Sequence, residues 1–205
     1  MPVAKTERPV IPKYAIAGGK EVWLTFDDGP HPANTKKVLS VLAAHEIKAT
    51  FFMVGKNCAL YPQTLKLVAE GGHRIGNHTY KHPKLTTLTR AKVKEEILKT
   101  EAIIAPYMKG KKLFRPPYGA HNAMIDEVVA ELGYRLVIWN VDTVDWSANF
   151  KPDKWVQHGI NQIKARQNSV VLNHDIWRTT AGNLDLFITK IKAIKGAKIQ
   201  AAATL

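Results

Sequence analysis

Short β-rich runs alternate with helical patterns from residue 21 to the last residue, and this alternation restricts the fold more than any other feature of the chain. The runs are 21–26 (EVWLTF), 49–54 (ATFFMV), 73–76 (HRIG), 112–115 (KLFR), 134–140 (YRLVIWN), 169–172 (SVVL) and, weakly, 197–201 (AKIQA). Helical patterns fill 34–45, 62–70, 89–108, 122–132, 153–166 and 183–195. Apolar residues recur there at helical spacing, as in Val38, Leu39, Leu42 and Ala43, or Val93, Ile97, Ile104 and Met108. Gly71, Gly72, Gly110, Gly133 and Gly196 stand where helices should stop. Asn34, Thr35, Thr89 and Asp153 stand where they should start. Strand, helix, strand is the repeating unit of a parallel sheet. The expected fold is therefore α/β: a distorted or incomplete (β/α) barrel of about seven parallel strands with outer helices. A doubly wound open sheet is the alternative. Residues 1–20 read as an irregular lead-in and 21–205 as one domain.

A chain of 205 residues can bury a substantial core. Thirty Lys and Arg against 17 Asp and Glu give a net charge of +13, which favours polyanionic partners. No Lys/Arg tract carries interleaved aromatics, so no nucleic-acid site is expected. Cys58 is the one cysteine, which excludes an intrachain disulfide and a Cys-based zinc finger. It is expected to be a small buried residue. No apolar run is long enough to cross a bilayer. The first twenty residues lack the apolar core of a signal peptide and carry Pro2, Pro9 and Pro12. The protein is thus either cytoplasmic or exported by a signal lying outside this chain. A monomer is expected.

The polar clusters fall at the ends of the strands. Asp27 and Asp28 follow the first. His78 and His82 follow the third, and Arg115-Pro116-Pro117-Tyr118-Gly119 the fourth. Asp142, Asp145 and Trp146 follow the fifth, and Leu172-Asn173-His174-Asp175 ends the sixth. In a parallel barrel these ends share one mouth, where such folds place their sites. Neighbouring side chains on a strand point to opposite faces, so two converging carboxylates need an irregular strand end, which Gly29-Pro30 can supply. Adjacent carboxylates repel unless a cation lies between them. Histidines four apart face one way on a helical turn, although Pro83 disfavours helix at His82. Two His and one carboxylate make a ligand set that leaves positions open at a metal. Each fragment alone has a plainer account, a solvated Asp-Gly turn or two unrelated surface histidines. Their convergence on one end of five strands argues for a site. His31, His45, His73, His121 and His158 lack such company and read as surface or packing residues.

Together the segments TFDDGP (25–30), HTYKH (78–82), RPPYG (115–119), DTVDW (142–146) and LNH (172–174) resemble the five ordered motifs of the polysaccharide deacetylase family, carbohydrate esterase family 4. The resemblance covers roughly residues 20–205. It implies that Asp28, His78 and His82 hold a divalent metal, usually zinc, with Co2+ or Ni2+ as alternatives. It implies Asp27 as the general base, kept ionised by Arg115, and His174 as the general acid, oriented and kept protonated by Asp145. Trp146 and Leu172 would line an acetyl pocket, the Tyr118 N–H would help hold the oxyanion, and Pro116 would shape that loop. The implied activity is metal-dependent removal of N-acetyl groups from N-acetylglucosamine-type sugars. The basic surface favours peptidoglycan, with its peptide carboxylates, over neutral chitin. The alternatives are a chitooligosaccharide deacetylase, an acetylxylan esterase or a catalytically inactive carbohydrate-binding relative.

Overall fold

The computed structural model describes residues 19–205. The expected lead-in at 1–20 lies outside them, except that Lys20 already opens the first strand. Eight strands form one sheet: β1 (Lys20–Asp27), β2 (Thr50–Met53), β3 (Arg74–Asn77), β4 (Lys112–Phe114), β5 (Tyr134–Leu136), β6 (Val141–Asp142), β7 (Asn168–His174) and β8 (Ala197–Ile199). Around it pack α1 (Asn34–Ala44), α2 (Gly55–Leu60), α3 (Pro62–Glu70), α4 (Arg90–Ile104), α5 (Ala123–Glu131), α6 (Lys154–Lys164) and α7 (Arg178–Lys192). The order is β5-β4-β3-β2-β1-β7-β6, with every pair parallel, and β8 pairs with β1 at Lys20–Val22, below β2. This is the incomplete (β/α) barrel expected from the alternation.

The barrel is incomplete because β5 and β6 do not pair. Of the single strand expected at 134–140 only Tyr134–Leu136 is strand, and 137–140 is a segment that crosses to β6. Val137 N still donates to Phe114 O of β4 at 2.9 Å, whereas Asn140 N already donates to Val170 O of β7 at 3.2 Å. A buried crossing needs the same apolar residues as a strand, so the composition of the segment cannot separate the two. Asp142 accordingly lies in β6 rather than after the fifth strand.

Several helix ends also differ from expectation. The fourth helix gives way at Ile104 to a 3₁₀ turn over Ala105–Tyr107, because Pro106 lacks the N–H that would continue the ladder. The last helix starts at Arg178 rather than near 183. The short α2 ends just before Pro62 and is too brief to show a period. Thr89 caps α4, accepting from Lys92 N, but Asp153 makes no capping bond. At α1 the cap comes from His31, whose Nδ1 accepts from Ala33 N at 3.2 Å and Asn34 N at 3.1 Å.

Burial follows the strand period. Val22, Leu24 and Phe26 of β1 join the core shared with the outer helices, while Trp23 packs inside the barrel with Phe52, Leu113, Val137, Val170 and Leu205. Burying such large apolar side chains stabilises the fold by about 1.5–3 kcal/mol each. The interior is therefore plugged, and the layer above the plug is open to polar groups. Cys58 is fully buried, as expected, and burial pushes its thiol far above the ordinary value. Among the described residues no helix is long and apolar enough to cross a membrane.

Candidate functional site

The site is the continuation of the barrel interior. Residues two apart share a face of a strand. Trp23 points inward on β1, and so do Thr25 and Asp27. Leu113 points inward on β4, and Arg115 follows two residues later. Val170 points inward on β7, and Leu172 and His174 complete that row. The hydrophobic plug thus sets the direction of the polar groups above it.

Backbone irregularity does the rest. Asp28, Thr79, His82, Tyr118 and Val144 all have positive φ (73°, 67°, 58°, 61° and 52°). This conformation is uncommon for residues with a side chain, and most costly for a β-branched one. All five sit on the loops at the strand C-termini, where strain is held by surrounding bonds. At Asp28 it turns the second carboxylate back toward the first. At Thr79 and His82 it curls the loop, held by Asn77 Oδ1, which accepts from Thr79 N, and by Thr79 Oγ1, which accepts from His82 N. Glu96 on α4 closes the loop from outside by accepting from Tyr80 N and Lys81 N.

Asp28, His78 and His82 present one ligand atom each, all within 4.8 Å of one another. Asp28 Oδ1 lies 3.2 Å from His82 Nε2 and 3.6 Å from His78 Nε2, yet it is buried without a hydrogen-bond donor. The His78 Nδ1–H donates to Arg115 O at 2.6 Å, which leaves a lone pair on Nε2 facing the carboxylate. Burial first, and then the neighbouring His78, hold the His82 pKa below its ordinary value, which favours the neutral ligand form. An orphaned carboxylate oxygen facing two such nitrogens is repulsive without a cation and well suited to one. The residues therefore fit a divalent metal, with His78 oriented from behind by a backbone carbonyl.

Asp27 is buried beside this trio. Its Oδ2 is 3.7 Å from His78 Nε2, and its Oδ1 accepts from Arg115 at 2.7 Å. Arg115 is wholly buried. It also donates to Thr25 Oγ1 at 2.8 Å and Val137 O at 3.2 Å, and its guanidinium lies 4.1 Å from the centre of the Phe52 ring. Burial opposes its charge, and Asp27 supports it.

His174 faces the trio from β7, with Nε2 4.0 Å from Asp28 Oδ2. Its Nδ1 and its backbone N each donate to Asp145 at 2.8 Å, and Thr180 Oγ1 donates to the same carboxylate at 2.7 Å. Burial alone would depress the His174 pKa. The Asp145 bond and charge, with Asp28 and Asp27, outweigh it and raise it to about 9.

The supporting residues separate into wall and rim. Leu172 and Pro116 are buried. Trp146 is half exposed, and Tyr118 is 66% exposed with its ring edge-on to His82. Among the described residues the Tyr118 N–H has no acceptor. Asp142 accepts from Val144 N at 2.8 Å and holds the loop that delivers Asp145. His45, His73, His121 and His158 lie away from the trio, each in contact with some other residue. Sequence reasoning missed Thr25, Asn77, Glu96, Thr180 and Asp175. Of these Thr25, Asn77 and Asp175 sit in or next to a motif, so only they left a signal.

Comparison with known proteins gives the class to which this strand-end site belongs. Residues 15–137 match the family described as polysaccharide deacetylase. The chain belongs to that family. Over 190 residues it is 38% identical to the peptidoglycan-N-acetylglucosamine deacetylase PgdA of Listeria monocytogenes, covering 90% of this chain and 38% of that protein. It is 37% identical over 159 residues to a chitooligosaccharide deacetylase of Azorhizobium caulinodans, covering 75% of this chain and 73% of the other. A structure from Bacillus anthracis described as a family 4 carbohydrate esterase pseudoenzyme aligns with a TM-score of 0.80 at 28% identity, covering 88% of this chain and 63% of that one.

Proposed function

We propose that this chain hydrolyses N-acetyl groups from N-acetylglucosamine-type sugars of a polysaccharide, most readily peptidoglycan. The observation that carries the reading is the orphaned Asp28 oxygen between two imidazoles, with a charged pair on either side: Asp27–Arg115 and His174–Asp145. A divalent cation held by Asp28, His78 and His82, zinc in our reading, would polarise the acetyl carbonyl and make water easier to deprotonate. Asp27 is the general base. Arg115 occupies its Oδ1, which leaves Oδ2 free to take the proton of the attacking water. His174 is the general acid. Asp145 fixes Nδ1, so the proton on Nε2 is the one delivered to the sugar nitrogen as the C–N bond breaks and acetate leaves. A positioned base and acid each contribute something like 10²–10⁴-fold in rate. In this reading the Tyr118 N–H donates to the oxyanion, a role typically worth about 10²–10³-fold. Leu172 and Trp146 bound the acetyl side, and Pro116 stiffens the Tyr118 turn.

The likeness to a pseudoenzyme makes the inactive alternative specific. Such a relative is expected to lose a ligand, the base or the acid, and Asp27, Asp28, His78, His82 and His174 are all present here. Peptidoglycan is favoured over chitin by the net charge of +13. Because peptidoglycan lies outside the cytoplasm, the same reading has the protein act there. Acetate release from peptidoglycan, chitin oligomers and acetylxylan, with zinc added and withdrawn, tests the reading. Peptidoglycan should be the best substrate and lose its advantage in high salt. Equal, salt-independent turnover of neutral oligomers would remove the preference.

A further inference from the structure

At the opposite end of the barrel from the site, the strand N-termini surround a second pocket of about 880 Å³. Its lining includes Lys48, Arg74, Lys109, Lys111 and Arg135, with Glu21 the only acidic side chain among the described lining residues. None of the five cations pairs with an Asp or Glu side chain among the described residues. Arg74 donates to Lys111 O at 2.8 Å and Ala202 O at 3.3 Å, and Arg135 donates to Leu205 O at 3.0 Å. Each nevertheless keeps a buried Nε without an acceptor. Burial, and then the charge of Arg135, hold the Arg74 pKa below its ordinary value. The Glu21 carboxylate, whose Oε2 is itself buried without a donor, satisfies neither guanidinium, so two cations that repel each other retain unpaired buried donors and can take up a further anion. A singly charged carboxylate would leave most of this charge uncompensated, whereas a phosphate offers more charge and several acceptor oxygens to guanidinium forks.

We propose that this pocket is a second, non-catalytic site that binds a phosphate-class oxyanion, remote from the acetyl-hydrolysing mouth. Calorimetric titration with inorganic phosphate at constant ionic strength tests it. The full chain is used beside His78→Ala, which disables the mouth as a phosphate site. Saturable one-to-one binding is expected in His78→Ala, and the same binding event, with or without a second at the mouth, in the full chain. Lys109→Glu with Lys111→Glu should weaken it at least about tenfold, or ~1.4 kcal/mol, without changing acetate release. Both lysines are exposed, so this variant should fold. Arg74→Gln with Arg135→Gln should weaken it further. A soluble poly(glycerol phosphate) chain binding more tightly than free phosphate assigns the pocket to a polymer, and equal binding per phosphate assigns it to the free ion. No saturable binding to His78→Ala at millimolar phosphate, or undiminished binding in the lysine pair variant, would overturn the proposal.

Discussion

Replacing Asp145 by Asn should convert a nearly pH-independent acid into one that fails in mildly alkaline solution. Asp145 accepts two bonds from His174 and one from Thr180, and it is fully buried. In this setting the His174 pKa is raised from 6.5 to about 9, although burial alone acts the other way. That gap is worth ~3.4 kcal/mol of preference for the imidazolium. Asparagine can still accept from Nδ1, but it brings no charge. Removing an opposite charge at this distance lowers a pKa by ~1–3 units. With a drop of about two units, the protonated fraction at pH 8 falls from ~0.9 to ~0.1, while at pH 6 it stays above ~0.9 in both proteins. A cation at Asp28 moves both limbs to lower pH together and leaves their separation in place. The assay is acetate release between pH 5 and 10 for both proteins. The expected result is an alkaline limb displaced toward acid, with about tenfold more activity lost at pH 8 than at pH 6. A loss by the same factor at both pH values would refute the argument, because it would make Asp145 a scaffold without influence on the His174 proton.

Three other outcomes follow from the geometry. His78→Ala should lose bound zinc in equilibrium dialysis, and unchanged metal content would overturn the ligand set. Gly29→Ala should lower the unfolding free energy by about 1–3 kcal/mol, and with it the urea midpoint, because a Cβ there would sit 2.8 Å from the Asp175 Cγ; an unchanged midpoint would show that the Asp175 carboxyl can move aside. Asp175 has its pKa raised to about 7 by burial, so its stabilisation is complete below 3.8 and lost as pH rises through 7. His73, held near 4 by burial, works the opposite way and loses stability as pH falls from 6.5 toward 4. Asp175→Asn should therefore gain on the wild type by up to ~4 kcal/mol between pH 4 and 8 in urea unfolding, and parallel stability curves would remove Asp175 from that balance.

Much of this architecture is legible in the sequence because it is local. Alternating β-rich and helical segments mark a parallel barrel, and the polar clusters fall after the strands. The inward row Trp23, Thr25 and Asp27 follows from the period of two, so even the direction of the base is implicit once Trp23 is known to plug the interior. Other features are not local. The end of β5 at Leu136 and the crossing over 137–140 depend on Phe114 and Val170, neither of them in that segment. Thr180 reaches Asp145 from the first turn of α7, and Glu96 holds the metal-site loop from the middle of α4. No periodicity links residues that far apart. The positive φ of Val144 is equally hidden, since a β-branched residue gives no hint of a left-handed conformation.

The central claim is that Asp27 takes a proton and does not merely fill the site. The most direct measurement is acetate release by Asp27→Asn at matched zinc content. The account predicts full zinc binding, through Asp28, His78 and His82, and release reduced by something like 10²–10⁴-fold. Release close to the wild-type rate with zinc bound would contradict it.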